Sequence, residues 1–148
     1  MRHEIRTETV LDAPPADVWR ALTDLDGHAE WDPFVVQATG TVAVGERLHL
    51  RMQPPGGRAM SFRPVVTEVQ PERVLEWLGR LGVPGLFDGR HRFELVPEGD
   101  GTRLVHSERF SGLLVRPLRR SLDDGTRAGF EALNEALGRR AAALRTSA

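Results

Sequence analysis

Late in the chain the sequence reads LDDGTRAGFEALNEALGRRAAAL, residues 122–144. One set of positions in this stretch recurs at steps of three and four residues, which is the spacing of a single stripe on an α-helix. The stripe predicts a long amphipathic helix with one face against the protein interior. Ser121 and Asp124 resemble an N-terminal capping box, whereas Pro117 favours a slightly earlier start. The stripe consists of Leu122, Thr126, Phe130, Leu133, Leu137, Ala141 and Leu144.

Strand-like segments fill most of the chain before this helix. They are short runs with apolar and polar residues in alternation, divided by turn signals rich in Gly, Pro and Asp. After the first segment, Pro14 and Pro15 suit the first turn of a helix, and Pro33 ends a second short helix. The pattern predicts seven strands, at residues 3–11, 34–40, 46–53, 60–70, 74–79, 88–96 and 102–110, with turns that include residues 54–57 and 98–101.

This order of elements is typical of an α+β domain. The simplest packing of seven consecutive strands and one long amphipathic helix curls the sheet and lays the helix across its concave side. We therefore expect a seven-stranded curved antiparallel sheet around the long helix, with two short helices between strands 1 and 2, in a single domain over residues 1–148. Such a sheet seldom closes fully on the helix, so the sequence predicts an apolar cavity between them.

Two neighbouring strands carry polar residues on their apolar face. His91 alternates into the same face as Phe93 and Leu95. His106 and Glu108 share the apolar face of the next strand, opposite a face with Arg and Ser. The two strands are hairpin neighbours, and their apolar faces coincide only when opposed residue numbers have an odd sum. This register places His91 opposite His106 or Glu108.

Further large side chains are assigned to the interior by the same alternation, with Trp31 and Phe130 added from the helices. Met and aromatic residues predominate among them, and Met is common where a surface adapts to a ligand. Together with the polar trio they form the predicted ligand-binding set: Trp31, Leu50, Met52, Met60, Phe62, Trp77, His91, Phe93, His106, Glu108 and Phe130.

Composition excludes several kinds of site. The sequence contains no Cys, Tyr or Lys, which removes disulfides, thiolate nucleophiles, Cys-based metal centres and Schiff-base chemistry. A net charge of -1 gives no general attraction to nucleic acid. No apolar run has the length of a membrane span, and MRHEIRTETV has charges where a signal peptide is apolar. We expect a cytoplasmic monomer or weak dimer with no cofactor, no nucleic-acid partner and no membrane insertion.

The ordered set of motifs resembles the START-like (SRPBCC) superfamily, in particular its bacterial polyketide cyclase/dehydrase and lipid-transport group. The resemblance covers nearly the whole chain and implies helix-grip architecture with a cavity for lipids, polyketides or other hydrophobic ligands. It implies no particular chemistry, because members include cyclases, carriers and protein-binding accessory subunits. It rests on Ala13-Pro-Pro-Ala-Asp-Val-Trp19, Trp31-Asp-Pro-Phe34, Arg90-His-Arg-Phe-Glu-Leu95, Gly101-Thr-Arg-Leu-Val-His106 and Glu108-Arg-Phe-Ser-Gly112.

The trio His91, His106 and Glu108 has three interpretations. The side chains hydrogen-bond each other inside a half-polar cavity, or they anchor a ligand, or they act as general acid and base in polyketide cyclisation or dehydration. Two His and one carboxylate also form a known ligand set for metals, but the spacing on two strands matches no recognised metal motif, so we expect no metal.

The leading hypothesis is a hydrophobic-ligand-binding protein of the lipid or polyketide type. The alternatives are a polyketide cyclase or dehydratase that uses the trio, with catalytic candidates His91, His106 and Glu108, and an accessory module that binds another protein. Residues 81–89 form either a plain hairpin loop or a lid over the ligand.

Overall fold

The structure is a computed structural model that describes residues 2–53, 58–80 and 83–147, without the side chains of 121, 122, 124, 146 and 147. The turn predicted at residues 54–57 and the first two residues of the predicted loop 81–89 lie outside this range. Its strands are β1 (Arg2–Leu11), β2 (Val35–Thr39), β3 (His49–Met52), β4 (Met60–Phe62), β5 (Val65–Gln70), β6 (Val74–Arg80), β7 (Asp88–Glu98) and β8 (Gly101–Ser111). Its helices are α1 (Pro15–Thr23), α2 (His28–Trp31), α3 (Val115–Ser121) and α4 (Arg127–Ser147), with a π-helical turn at Leu122–Thr126.

The described strands form two antiparallel sheets, so the predicted α+β class is confirmed but the single seven-stranded sheet is wrong. One sheet has the order β1-β8-β7-β6-β5 and the other the order β2-β3-β4. The predicted strand at residues 60–70 is divided at Pro64, which has no backbone N–H to offer a ladder. Residues 45–48 join the two sheets through a single bridge between Arg47 and Val65 and through flanking backbone hydrogen bonds.

The hairpin of β7 and β8 has the register that the alternation predicts. Glu98 pairs with Gly101 at the turn, and His91 pairs with Glu108 seven residues further along each strand. β1 covers the other side of β8, with Thr7 opposite His106. The trio therefore lies near the middle of the five-stranded sheet, on its concave face.

The long helix begins earlier than its stripe predicts. Helical backbone starts at Val115 and continues through α3 and the π-helical turn into α4, so Ser121 lies inside the helical run and does not begin a helix. Within the π-helical turn, Asp123 forms a 2.6 Å hydrogen bond with His3 of β1. From the stripe, Phe130, Leu137 and Ala141 are buried in α4, whereas the side chain of Leu122 lies outside the described range. The predicted amphipathic helix is confirmed over α4, which packs against α1 and β1.

Most of the buried apolar residues in the described part of the chain form two clusters. The larger joins α1, the inner faces of both sheets and the second half of α4, with Leu22, Leu75 and Leu137 among its members. The smaller consists of Ile5, Phe110, Val115 and Phe130, with Phe87 packed against it. Space between two separate clusters is where a cavity can form.

Candidate functional site

A cavity of about 370 Å³ lies between the two sheets, α2 and α4. Its wall draws on both apolar clusters and is mostly hydrophobic, with the trio on the side formed by β7 and β8. This volume is within the range of small-molecule sites in proteins. The cavity brings together ten of the eleven predicted site residues: Trp31, Leu50, Met52, Phe62, Trp77, His91, Phe93, His106, Glu108 and Phe130.

Met60 is the exception, and its predicted interior position is wrong. It lies opposite Met52 in the ladder of β3 and β4, yet its side chain is 51% exposed and does not line the cavity. β4 has three residues and is the edge of its sheet, so no described strand pairs with it on the far side. Phe62, at the other end of β4, is 37% exposed and lines the cavity.

The polar trio forms one hydrogen-bonded chain. Nδ1 of His91 lies 3.2 Å from Oε1 of Glu108, its ladder partner. Nε2 of His91 lies 2.6 Å from Nε2 of His106. Both ring nitrogens of His91 are therefore engaged, while the carboxylate of Glu108 is bonded to His91 through one oxygen.

Asn134 of α4 extends this chain into the core. Its Oδ1 lies 2.8 Å from Nδ1 of His106, and its Nδ2 donates to the hydroxyls of Thr7 at 2.9 Å and Thr9 at 3.2 Å. The hydroxyl of Thr7 donates in turn to the carbonyl oxygen of His106 at 3.2 Å. His106 and Asn134 are fully buried. The network thus ties β1, β7 and β8 to the long helix.

His106 is held between two aromatic rings. The ring of Phe130 stacks on it at 3.9 Å between centroids and 11° between planes, and that of Phe93 at 4.4 Å and 22°. Burial in this apolar sandwich lowers the pKa of His106 well below its usual value, and the neighbouring His91 lowers it further, although the hydrogen bond to Asn134 opposes the shift. His106 is therefore neutral at physiological pH.

Sequence reasoning missed Asn134 and Thr7. A signal for Asn134 was available, because it lies four residues after Phe130 and three before Leu137 and is thus a polar residue within the apolar stripe. Thr7 gave no signal, since its role depends on the pairing of β1 with β8, which are far apart in the sequence.

A second buried histidine, His28 of α2, also lines the cavity and was missed. Its Nε2 donates to the carbonyl of Leu22 at 2.8 Å, and its Nδ1 lies 3.2 Å from Oδ2 of Asp32. The other oxygen of Asp32 accepts hydrogen bonds from the backbone N–H groups of Phe34 and Val35. These bonds stabilise the C-terminal end of α2 and position Trp31, whose ring lies 4.8 Å from that of His28.

The loop predicted as a possible lid reaches the cavity at Phe87. The described part of this loop is bonded to the segment after β8, because the N–H groups of Leu113 and Leu114 donate to the carbonyls of Gly85 and Leu86. Phe87 packs on Phe110 at 5.6 Å between ring centroids.

Two further properties bear on function. Over residues 2–53, 58–80 and 83–147, no group of three or more His, Asp or Glu side chains is arranged to hold a metal ion. Within the same range, every helix is too short or too polar to cross a bilayer.

Comparison with known proteins gives the following. A family model described as polyketide cyclase/dehydrase and lipid transport matches residues 2–145. No curated protein matches the chain. Protein NE0264 from Nitrosomonas europaea is similar in structure, with a TM-score of 0.78 at 22% identity over 97% of this chain and 96% of that one. Protein MLL2253 from Mesorhizobium loti gives a TM-score of 0.70 at 26% identity over 93% and 96%.

A third similar structure is the di-domain ARO/CYC protein StfQ from the steffimycin biosynthetic pathway. Its TM-score is 0.81 at 14% identity, and the match covers all of this chain and 53% of StfQ, so the chain spans about half of that protein. At this identity the likeness shows the fold.

Proposed function

Because this chain belongs to the polyketide cyclase/dehydrase and lipid transport family, we propose that it binds one small hydrophobic molecule of the lipid or polyketide type in the cavity between the sheets and α4. The observation that carries the proposal is an apolar cavity of about 370 Å³ with one polar side, formed by Glu108 and His91. Mostly apolar walls with a few convergent polar groups are typical of small-molecule sites.

The lining supports a flat or ring-containing ligand. Trp31 lies on α2, Trp77 on β6 and Phe130 on α4, so aromatic faces approach the cavity from three directions. Aromatic side chains bury large areas and favour stacked or edge-to-face contact with other rings. Met52 adds an adaptable side chain to the cavity wall.

The binding proposal is tested by a substitution on α4 whose new side chain fills the cavity. Gly129 of α4 lines the cavity, and a Cβ there would lie 3.5 Å from the ring of Phe34, which is ordinary contact. In Gly129→Leu the new side chain occupies the space of the ligand, while the loss of a helical Gly favours α4 by about 1 kcal/mol. We expect the variant to fold with at least wild-type stability in urea and to lose binding of 2-methoxynaphthalene in isothermal titration calorimetry.

Gly125→Leu is the matched control. Gly125 is exposed, and a Cβ there meets nothing within 4 Å, so binding should remain as in the wild type. A folded Gly129→Leu variant with wild-type affinity would contradict the proposal, as would a wild-type protein that binds no naphthalene at all.

A second candidate function is acid–base catalysis on a poly-β-ketone, and the chain from Glu108 to His91 favours it. The carboxylate would take a proton from a carbon flanked by two ketones, the resulting enolate would attack a third ketone of the same molecule, and the proton would return to the alkoxide formed. Positioned acid–base groups contribute about 10²–10⁴ in rate.

Glu108→Gln tests this second function. The variant should keep its affinity for 2-methoxynaphthalene and lose at least about a hundredfold in cyclisation rate of a poly-β-keto thioester. Turnover at the wild-type rate in the variant, or no acceleration by the wild type over buffer, would exclude catalysis.

A further inference from the structure

We propose that the ligand carries a hydroxyl group, alcohol or phenol, whose O–H donates to Oε2 of Glu108, and that Asn134 is a positioning residue that acts through His106 to set the charge of His91, the hydrogen-bond partner of Glu108. The proposal rests on the proposed binding function and adds the chemical class of the ligand. It follows from the placement of protons along the hydrogen-bonded chain.

The first proton is fixed by Thr7. Its hydroxyl donates to the carbonyl of His106, so its only proton is used and its oxygen can accept but not donate again to Asn134. The group of Asn134 that faces Thr7 is therefore the NH₂. The carbonyl oxygen of Asn134 then faces Nδ1 of His106 and must accept from it, which places the proton of His106 on Nδ1.

The position of the proton on His106 determines where His91 carries its proton. A neutral His106 protonated on Nδ1 has a lone pair on Nε2, and Nε2 of His91 lies 2.6 Å away. Two lone pairs cannot face each other at this distance, so Nε2 of His91 carries a proton and donates to His106.

The third proton lies between His91 and Glu108. Nδ1 of His91 and Oε1 of Glu108 are 3.2 Å apart, which requires one proton between them. In the proposed arrangement this proton resides on the ring of His91, where it gives Oε1 a charge-assisted hydrogen bond. Both N–H groups of His91 then donate, and Glu108 is its carboxylate partner.

One oxygen of this carboxylate remains for a ligand. Among the described residues none donates to Oε2 of Glu108, which lies over Gly89 in the space that a Cβ at that position would take. Gly89 and Glu108 both line the cavity. An acceptor without a donor at an apolar wall fits an O–H group of a ligand, and hydrogen bonds to a charged acceptor are the stronger kind.

Arg80 provides the alternative that the test must separate. It lines the cavity with a half-exposed side chain, its Nε 3.6 Å from Oδ1 of Asp88, and would favour a ligand with a carboxylate. The carboxylate of Glu108 would repel such a ligand.

Three probes of one shape separate these possibilities: 2-naphthol, 2-methoxynaphthalene and 2-naphthoate, titrated calorimetrically at neutral pH. We expect 2-naphthol to bind at least about tenfold more tightly than 2-methoxynaphthalene, and 2-naphthoate to bind weakest. In Glu108→Met, which retains side-chain length without an acceptor, 2-naphthol should lose this advantage while 2-methoxynaphthalene keeps its affinity.

The outcomes distinguish the two proposals. Equal affinity for 2-naphthol and 2-methoxynaphthalene, or tightest binding of 2-naphthoate, overturns the hydroxyl inference and leaves the binding function intact. Failure of all three probes overturns the binding function itself.

The positioning role of Asn134 has a spectroscopic test. Long-range ¹H–¹⁵N NMR of the wild type at neutral pH should show His106 neutral with its proton on Nδ1 and His91 protonated on both nitrogens. In Asn134→Leu the acceptor is gone, so the proton of His106 should move to Nε2 and His91 should become neutral, while Glu108 stays a carboxylate and 2-naphthol remains preferred over 2-methoxynaphthalene. A neutral His91 in the wild-type spectrum overturns the proposal whether or not the variant folds.

Discussion

His106 shows how a single titratable residue depends on its surroundings in this fold. Its ring is fully buried between Phe93 and Phe130, and its Nδ1 lies within hydrogen-bond distance of Oδ1 of Asn134. The unfolded chain takes up a proton at this residue near pH 6.5, whereas the folded protein does not until the pH is much lower, because its pKa is lowered by burial.

Stability should therefore fall in acid for a defined reason. The full stabilising effect of a neutral His106 is present above about pH 6.5 and is lost as the pH decreases toward the lowered pKa, by up to about 1.4 kcal/mol per pH unit. Urea unfolding between about pH 7.5 and pH 5 measures the slope. The His106→Gln variant should show a shallower slope, and an unchanged slope would contradict the assignment.

For individual residues, the sequence predicted contacts that are formed within one strand or one hairpin. Alternation along β7 and β8 placed His91 opposite His106 or Glu108, and the structure shows that Glu108 is its ladder partner. The partners of His106 on β1 and α4 could not be predicted in the same way, because they are brought together by pairings between distant parts of the chain.

At the scale of elements, strands near Pro64 depart furthest from prediction. Alternation treats Met60 and Phe62 as one inward face, but it contains no information on whether a strand is central or at an edge. β4 is a short edge strand, so the two side chains of one face differ in exposure. The early start of the helical run at Val115 was indicated by Pro117, whereas the π-helical turn left no mark in the apolar spacing.

Two methionines that are ladder partners provide a matched test of this edge. Met52 packs against the main core cluster and lines the cavity, while Met60 is half exposed. Met52→Ala should lower the free energy of unfolding by about 1–3 kcal/mol, and Met60→Ala by less than about 0.5 kcal/mol. Urea denaturation of both variants measures the difference, and equal losses would show that β4 is covered in solution.

For the whole molecule, the cavity is the property that sequence could only suggest. The number of strands and the long helix imply a sheet wrapped around a helix, but the unfilled volume depends on how all side chains pack together. Because the cavity lies between two apolar clusters, a ligand bound there would complete the contact between them.

A ligand in this position should stabilise the entire fold. At a free concentration one hundred times its dissociation constant, 2-naphthol should add about 2.7 kcal/mol and raise the Tm by about 5–10 °C in scanning calorimetry. Gly129→Leu should show no such shift with 2-naphthol, since its cavity is filled. A shift of equal size in that variant would indicate binding elsewhere.

The placement of the three indoles has a practical consequence. Trp31 and Trp77 line the cavity, Trp19 lies in a separate groove on the outside, and the chain has no Tyr. Since Phe is only a weak emitter, ultraviolet fluorescence of the native protein comes almost entirely from tryptophan, and two of the three tryptophans face the space that a ligand would occupy. Intrinsic tryptophan fluorescence can therefore report ligand binding, which permits screening of compound libraries without an added label.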